Sequence, residues 1–172
     1  MFLSFKYGEG PMRETNILQL IYTFFVGLLL ALFIGAGINT FYTPPAAPEY
    51  PSILNIYGKE PTEQQLAVQK QFDQQNAIYQ DKMKPYNRNV SIMTLVAAVA
   101  FLVVSVLFEK KIKFIANGIM LGGLSTLIYS IGRGFASEDS KYIFTAITVG
   151  LAIVLYLGYR RFVMHTAPTK ES

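Results

Sequence analysis

Four stretches of this chain carry no charged side chain, and they decide most of what it can fold into. There is none between Glu14 and Glu49, none between Arg88 and Glu109, none over residues 114–132, and none over residues 142–159. Uncharged apolar runs of about 20 residues match a hydrocarbon core roughly 30 Å thick. Charge is scarce overall. Of 172 residues, 15% are charged and 52% hydrophobic, against roughly 25% charged in a soluble domain. The expectation is an all-α integral membrane protein with four transmembrane helices, at 17–42, 90–108, 114–132 and 142–159.

Residues 1–16 read as a short polar tail, because Gly8, Gly10 and Pro11 oppose a helix and Thr15 or Asn16 can cap the one that follows. The apolar run at 17–42 is too long for a signal-peptide core and reads as a retained anchor. Along it Gly27, Ala31 and Gly35 recur every fourth residue, giving one face on which another backbone can approach closely.

Residues 43–89 form a Pro- and Gln-rich insert in two halves. The first is extended in character. The second predicts a helix over 61–84, opened at Pro61 or Thr62 and stopped by Pro85. At helical spacing Val68, Phe72, Tyr79 and Met83 form an apolar stripe that Tyr86 extends, opposite Glu63, Lys70, Asp73, Asp81 and Lys84. A helix lying on a membrane would be rich in Lys and Arg on its polar face. This one is nearly neutral, so it is expected to dock on the 133–141 loop of its own chain, on a second copy or on a partner.

A short turn at 109–113 and a loop at 133–141 complete the chain, with a tail at 160–172. Lys6, Arg13, Lys110, Lys111, Lys113, Arg160, Arg161 and Lys170 gather on one side of the four spans. The positive-inside tendency makes that side cytoplasmic, so both termini are expected inside and the insert outside. Tyr42, Tyr86, Tyr129 and Tyr142 then fall near the outer interface, where amphipathic rings prefer to sit.

Several chemistries are disfavoured. There is no Cys, and the single His, His165, lies in the tail, so no metal site or cofactor is expected. All carboxylates lie outside the spans, which counts against proton- or cation-coupled transport. Gly123-Leu124-Ser125 resembles the nucleophile motif of intramembrane serine proteases, but no histidine base accompanies it, and small residues for helix packing explain it better. The basic residues form no stripe, so no nucleic-acid partner is expected.

Two further G-x-x-x-G-like pairs stand out. Gly118 and Gly122, extended by Gly123, Thr126 and Ser130, and Ala146 with Gly150, predict a close hairpin of the third and fourth spans. Leu121 is expected to face lipid. Arg133, flanked by Gly132 and Gly134, reads as an interface anchor paired with Glu138 or Asp139. A sharper reading makes these residues a contact for an anionic lipid head group or a partner.

The segments GLLLALFIGAGINTFY, YNRNVSI and LGGLSTLIYSIGRGFASEDSKYIF together resemble a set of small four-span bacterial membrane proteins. The resemblance covers nearly the whole chain. It implies a bacterial cytoplasmic membrane and carries over no site residues. The expected function is that of a non-enzymatic membrane scaffold or accessory subunit. It would act through the extracytoplasmic insert and the small-residue faces, in contact with membrane lipids and with a protein partner or further copies of itself. The alternative is an uncoupled channel or small-solute permease formed by an oligomer.

Overall fold

One helix of 46 residues stands where the sequence predicts two. In the computed structural model, which describes residues 12–54 and 61–162, α1 is Met12–Phe41, α2 Glu63–Phe108, α3 Lys113–Phe135 and α4 Ser140–Phe162. Pro85, expected to stop a helix, lies inside α2. A proline in a helix interior removes one backbone bond, here the one to the Asp81 carbonyl, and crowds that carbonyl with its ring. Both residues are exposed, so solvent can take the freed carbonyl. The α3–α4 loop also grips α2 on both sides of the proline. Lys84 Nζ lies 2.9 Å from Glu138, Asn87 Nδ2 donates to the Ala136 carbonyl at 3.0 Å, and Arg88 Nη1 lies 3.5 Å from Asp139.

At its start α2 is fixed by Thr62 N–H, which donates to Gln65 Oε1 at 2.7 Å. That bond satisfies a donor just outside the first turn, the reciprocal half of a capping box. α1 begins at Met12, earlier than the expected Ile17, directly after Pro11 in the sequence. α3 and α4 are likewise longer than their uncharged cores, by one to three residues at each end. All four helices are long and apolar enough to cross a membrane.

α3 is the centre. α1, α2 and α4 all pack on it, α2 most extensively and α4 least, while α1 touches α2 only lightly. The seam between α2 and α3 is built from small and hydroxyl-bearing residues. Gly123 sits so close to α2 that an added Cβ would lie 2.9 Å from Leu102 and 3.3 Å from the Ala98 carbonyl. Further along, Ser91 and Ser130 exchange bonds reciprocally. Ser91 Oγ donates to the Ser130 carbonyl at 2.6 Å, and Ser130 Oγ donates to the Ser91 carbonyl at 2.8 Å. Tyr142 of α4 joins by donating its hydroxyl to Ser91 Oγ at 2.7 Å. Thr94, Ser105 and Thr126 return their hydroxyls to carbonyls of their own helices.

The Gly118–Gly122 pair faces α1, not α4 as the spacing predicts. Val26 fills the hollow at Gly118 and Leu30 the one at Gly122, while Leu121 covers Gly27 in return. Leu121, expected to face lipid, is therefore half-buried between helices. The Ala146–Gly150 face does meet α3, with Gly150 against Leu127. Besides Tyr86, Val90, Leu102 and Leu127, the interior holds mainly Gly, Ala, Ser and Thr, whereas Phe33, Val96, Phe144 and Leu155 lie outside at 71%, 65%, 73% and 63% exposure. Water-soluble bundles do the reverse.

Candidate functional site: the Arg133 cleft

The last turn of α3 places Arg133 at the end of the bundle where α1, α2 and the α3–α4 loop converge. Its expected carboxylate partners are engaged elsewhere. Glu138 pairs with Lys84, and Asp139 pairs with Arg88 and accepts a 3.1 Å bond from the Tyr142 N–H, which caps α4. Glu138 sits at φ 56°, in the left-handed region, where a side chain costs about 1–2 kcal/mol. That turn closes α3 and delivers Asp139 to the start of α4.

Both ion pairs leave a mark on titration, one in the loop and one on α2. The Asp139 carboxyl is held below its usual value first by the Tyr142 N–H and then by Arg88, against some burial. Lys84 is held above its usual value, first by its bond to Glu138 and then by Asp81.

Arg133 itself has a different set of neighbours. Nη1 donates to Asn87 Oδ1 at 2.9 Å, so the Asn87 amide links Arg133 to the Ala136 carbonyl. The guanidinium lies 5.5 Å from the Tyr86 ring and 5.8 Å from the Tyr129 ring, within cation–π range. Its Nε is buried and has no hydrogen-bond acceptor. Among the described residues no carboxylate pairs with it. Tyr86 is held in place by stacking on Tyr42 at 5.1 Å with the rings nearly parallel, and its hydroxyl donates to the Tyr42 carbonyl at 3.3 Å. Asn89 Nδ2 adds a 2.9 Å bond to the Tyr42 hydroxyl. Tyr42, Tyr86, Tyr129 and Tyr142 thus share one end of the bundle, and each meets Arg133, Ser91 or another of the four.

A cleft of about 490 Å³ opens beside Arg133. Leu28, Ala31, Leu32 and Gly35 of α1 form one wall, Thr126 and Tyr129 of α3 the other, with Tyr86 and Arg133 at the polar end. The expected packing face of α1 is therefore divided. Gly27 is covered by Leu121, whereas a Cβ at Gly35 would meet nothing within 4 Å.

The apolar stripe of the insert lies elsewhere. Val68, Phe72, Tyr79 and Met83 are half-buried along the free portion of α2. Phe72 meets Tyr50 edge-on at 5.3 Å, and Gln65 Nε2 donates to the Ile53 carbonyl at 3.4 Å. At Phe72 and Gln65 the cover is the chain's own segment around residues 50–54, including a 3-10 turn at Ser52–Leu54. The 133–141 loop, the expected intrachain dock, reaches α2 at Lys84 and beyond. No group of His, Cys, Asp and Glu among the described residues is placed to hold a metal.

Fold and site together define an all-helical bundle of four membrane-length helices with one arginine-ended cleft. Compared with protein-family models, curated proteins and solved structures, the chain matches none.

Proposed function

We propose that this is a multi-pass protein of a bacterial cytoplasmic membrane, both termini cytoplasmic, working as a non-enzymatic scaffold or accessory subunit. Its outward element is the free portion of α2, residues 63–84, roughly 30 Å long at 1.5 Å per residue. The observation that carries the reading is the continuity of α2 through Pro85. A partner gripping the arm is linked without a hinge to the helix that packs most extensively on α3. The inside-out distribution of large and small side chains supports the membrane placement. Leu66 and Ile78, 52% and 56% exposed on the arm, offer apolar contacts that the 50–54 segment leaves uncovered. The channel alternative draws little support, since the buried hydroxyls bond to helix carbonyls and to one another.

Two measurements test this. In intact cells an impermeant thiol reagent should label Gln71→Cys and spare Lys111→Cys, and the opposite pattern reverses the orientation. A photo-crosslinker at Ile78 should give one protein adduct of defined mass in native membranes, lost when Leu66 is changed to Asp. Absence of any protein adduct at Ile78 removes the scaffold reading.

A further inference from the structure

We propose that the Arg133 cleft binds one anionic phospholipid of the surrounding bilayer, with its phosphate on the Arg133 guanidinium and an acyl chain lying between α1 and α3. This shares only the membrane placement with the scaffold reading and is independent of the arm.

Three observations converge. First, the cleft is a cavity of ligand size, about 490 Å³, where small-molecule sites run roughly 300–1,000 Å³. Its long wall is apolar, formed by Leu28, Ala31, Leu32 and Gly35 of α1. The bundle leaves Gly35 bare while filling the equivalent hollow at Gly27 two turns earlier. Second, the cation at its end is uncompensated. The two nearest carboxylates of the loop are committed to Lys84 and Arg88, and Arg133 keeps one neutral acceptor, Asn87, with Nε buried and unbonded. A guanidinium presents its donors as a planar fork that suits a phosphate. Third, Arg133 lies in the last turn of a membrane-length helix, flanked by Tyr86 and Tyr129. Such a position is the level of lipid phosphates, and tyrosines favour the same depth. The depth matches a head group and the wall matches a chain.

A net-anionic lipid is favoured over a zwitterionic one because the site supplies no carboxylate to meet a choline or ethanolamine cation. Leu28 and Leu32, which line the cleft, are 43% and 58% exposed, so an acyl chain can reach this wall from the bilayer.

The test is native mass spectrometry of the delipidated full chain, titrated with phosphatidylglycerol, phosphatidylcholine or inorganic phosphate. One equivalent of phosphatidylglycerol should bind about tenfold more tightly than phosphatidylcholine. Arg133→Gln should remove that preference. Gly35→Leu, which places a side chain in open space, should weaken phosphatidylglycerol about tenfold without lowering the thermal midpoint of the lipid-free protein. Equal binding of the two lipids, or full binding by Gly35→Leu, overturns the proposal. So does inorganic phosphate that displaces the lipid at equal concentration, since the acyl chain then contributes nothing. A lipid-free dimer that Gly35→Leu abolishes would assign the cleft to a second copy instead.

Discussion

The two halves of α1 use the same sequence device to opposite ends. In the lower half Gly27 receives Leu121, and α3 answers with Gly118 under Val26 and Gly122 under Leu30. In the upper half Ala31 and Gly35 continue the same four-residue rhythm, but α3 offers Thr126, Tyr129 and Arg133, and none of them fills the space. Small residues at that spacing permit close approach without compelling it. Whether a seam or a cleft results depends on what the facing helix presents. Here a bulky aliphatic closes the lower half, and an arginine held aside by Asn87, Tyr86 and Tyr129 leaves the upper half open.

The largest effect should come from filling a hollow in the closed half. In Gly122→Leu the new Cβ would lie 2.9 Å from Leu30 Cβ and 3.1 Å from the Gly27 carbonyl, so α1 must move away. Overpacking of this kind costs roughly 1–3 kcal/mol or more. In detergent its thermal midpoint should fall by several degrees, while Gly35→Leu leaves it unchanged. If both variants lose the same amount, the two halves do not differ in the way described.

Leu121→Ala sharpens the contrast from the other side. Leu121 covers Gly27 and is half-buried, so truncation should cost about 1–2 kcal/mol, less than a fully buried leucine. A truncation without effect would return Leu121 to the lipid face that its sequence position implies. A smaller loss, about 0.6 kcal/mol, is expected for Ser91→Ala, in line with hydrogen bonds between membrane helices. It removes the acceptor for Tyr142 and one arm of the exchange with Ser130. An unchanged midpoint would mean that the serine pair is held by packing alone.

How much of this is legible in the sequence follows from which interactions are local. The four membrane-length helices come directly from the uncharged runs. The neighbour of each small face does not. Gly118 and Gly122 point to α1, because which side of α3 each helix occupies is a long-range property with no periodic signature. Pro85 misleads for a similar reason. The local rule says stop, but the loop bonds at Lys84, Asn87 and Arg88, from residues some 50 positions away, hold the helix through it. Arg133 is visible as an isolated cation near a span end. That its expected acids are taken by Lys84 and Arg88, and that Asn87 and Tyr86 receive it, depends on the continued register of α2. A reading that ends the helix at Pro85 cannot supply that register.

The smallest effect should be that of pH, and it should touch only the open half. The closed half is apolar contact and has nothing to titrate. The open half keeps its Tyr86 wall where the loop brace holds α2, and that brace contains two shifted groups outside the apolar spans. Asp139 titrates below its ordinary value of about 3.9, so its contribution is present above that pH and is lost as pH falls through the lowered value. Lys84 titrates above its ordinary value of about 10.4, so its contribution is complete below that pH and is lost as pH rises through the raised one. Between about pH 4 and 10 these two groups therefore leave the brace unchanged. Because these side chains are substantially exposed, solvent and salt weaken the pairs and the change should be modest. Hydrogen exchange read as protection relative to intrinsic rates is the measurement. Below pH 4, amides of residues 136–143 should lose protection while those of residues 118–122 keep theirs. Asp139→Asn should produce that local loosening already at neutral pH, since it gives up the charge that meets Arg88 and weakens the cap on Tyr142. Equal loss of protection in both segments would mean that acid loosens the bundle as a whole, and the two halves of α1 would then share one source of stability.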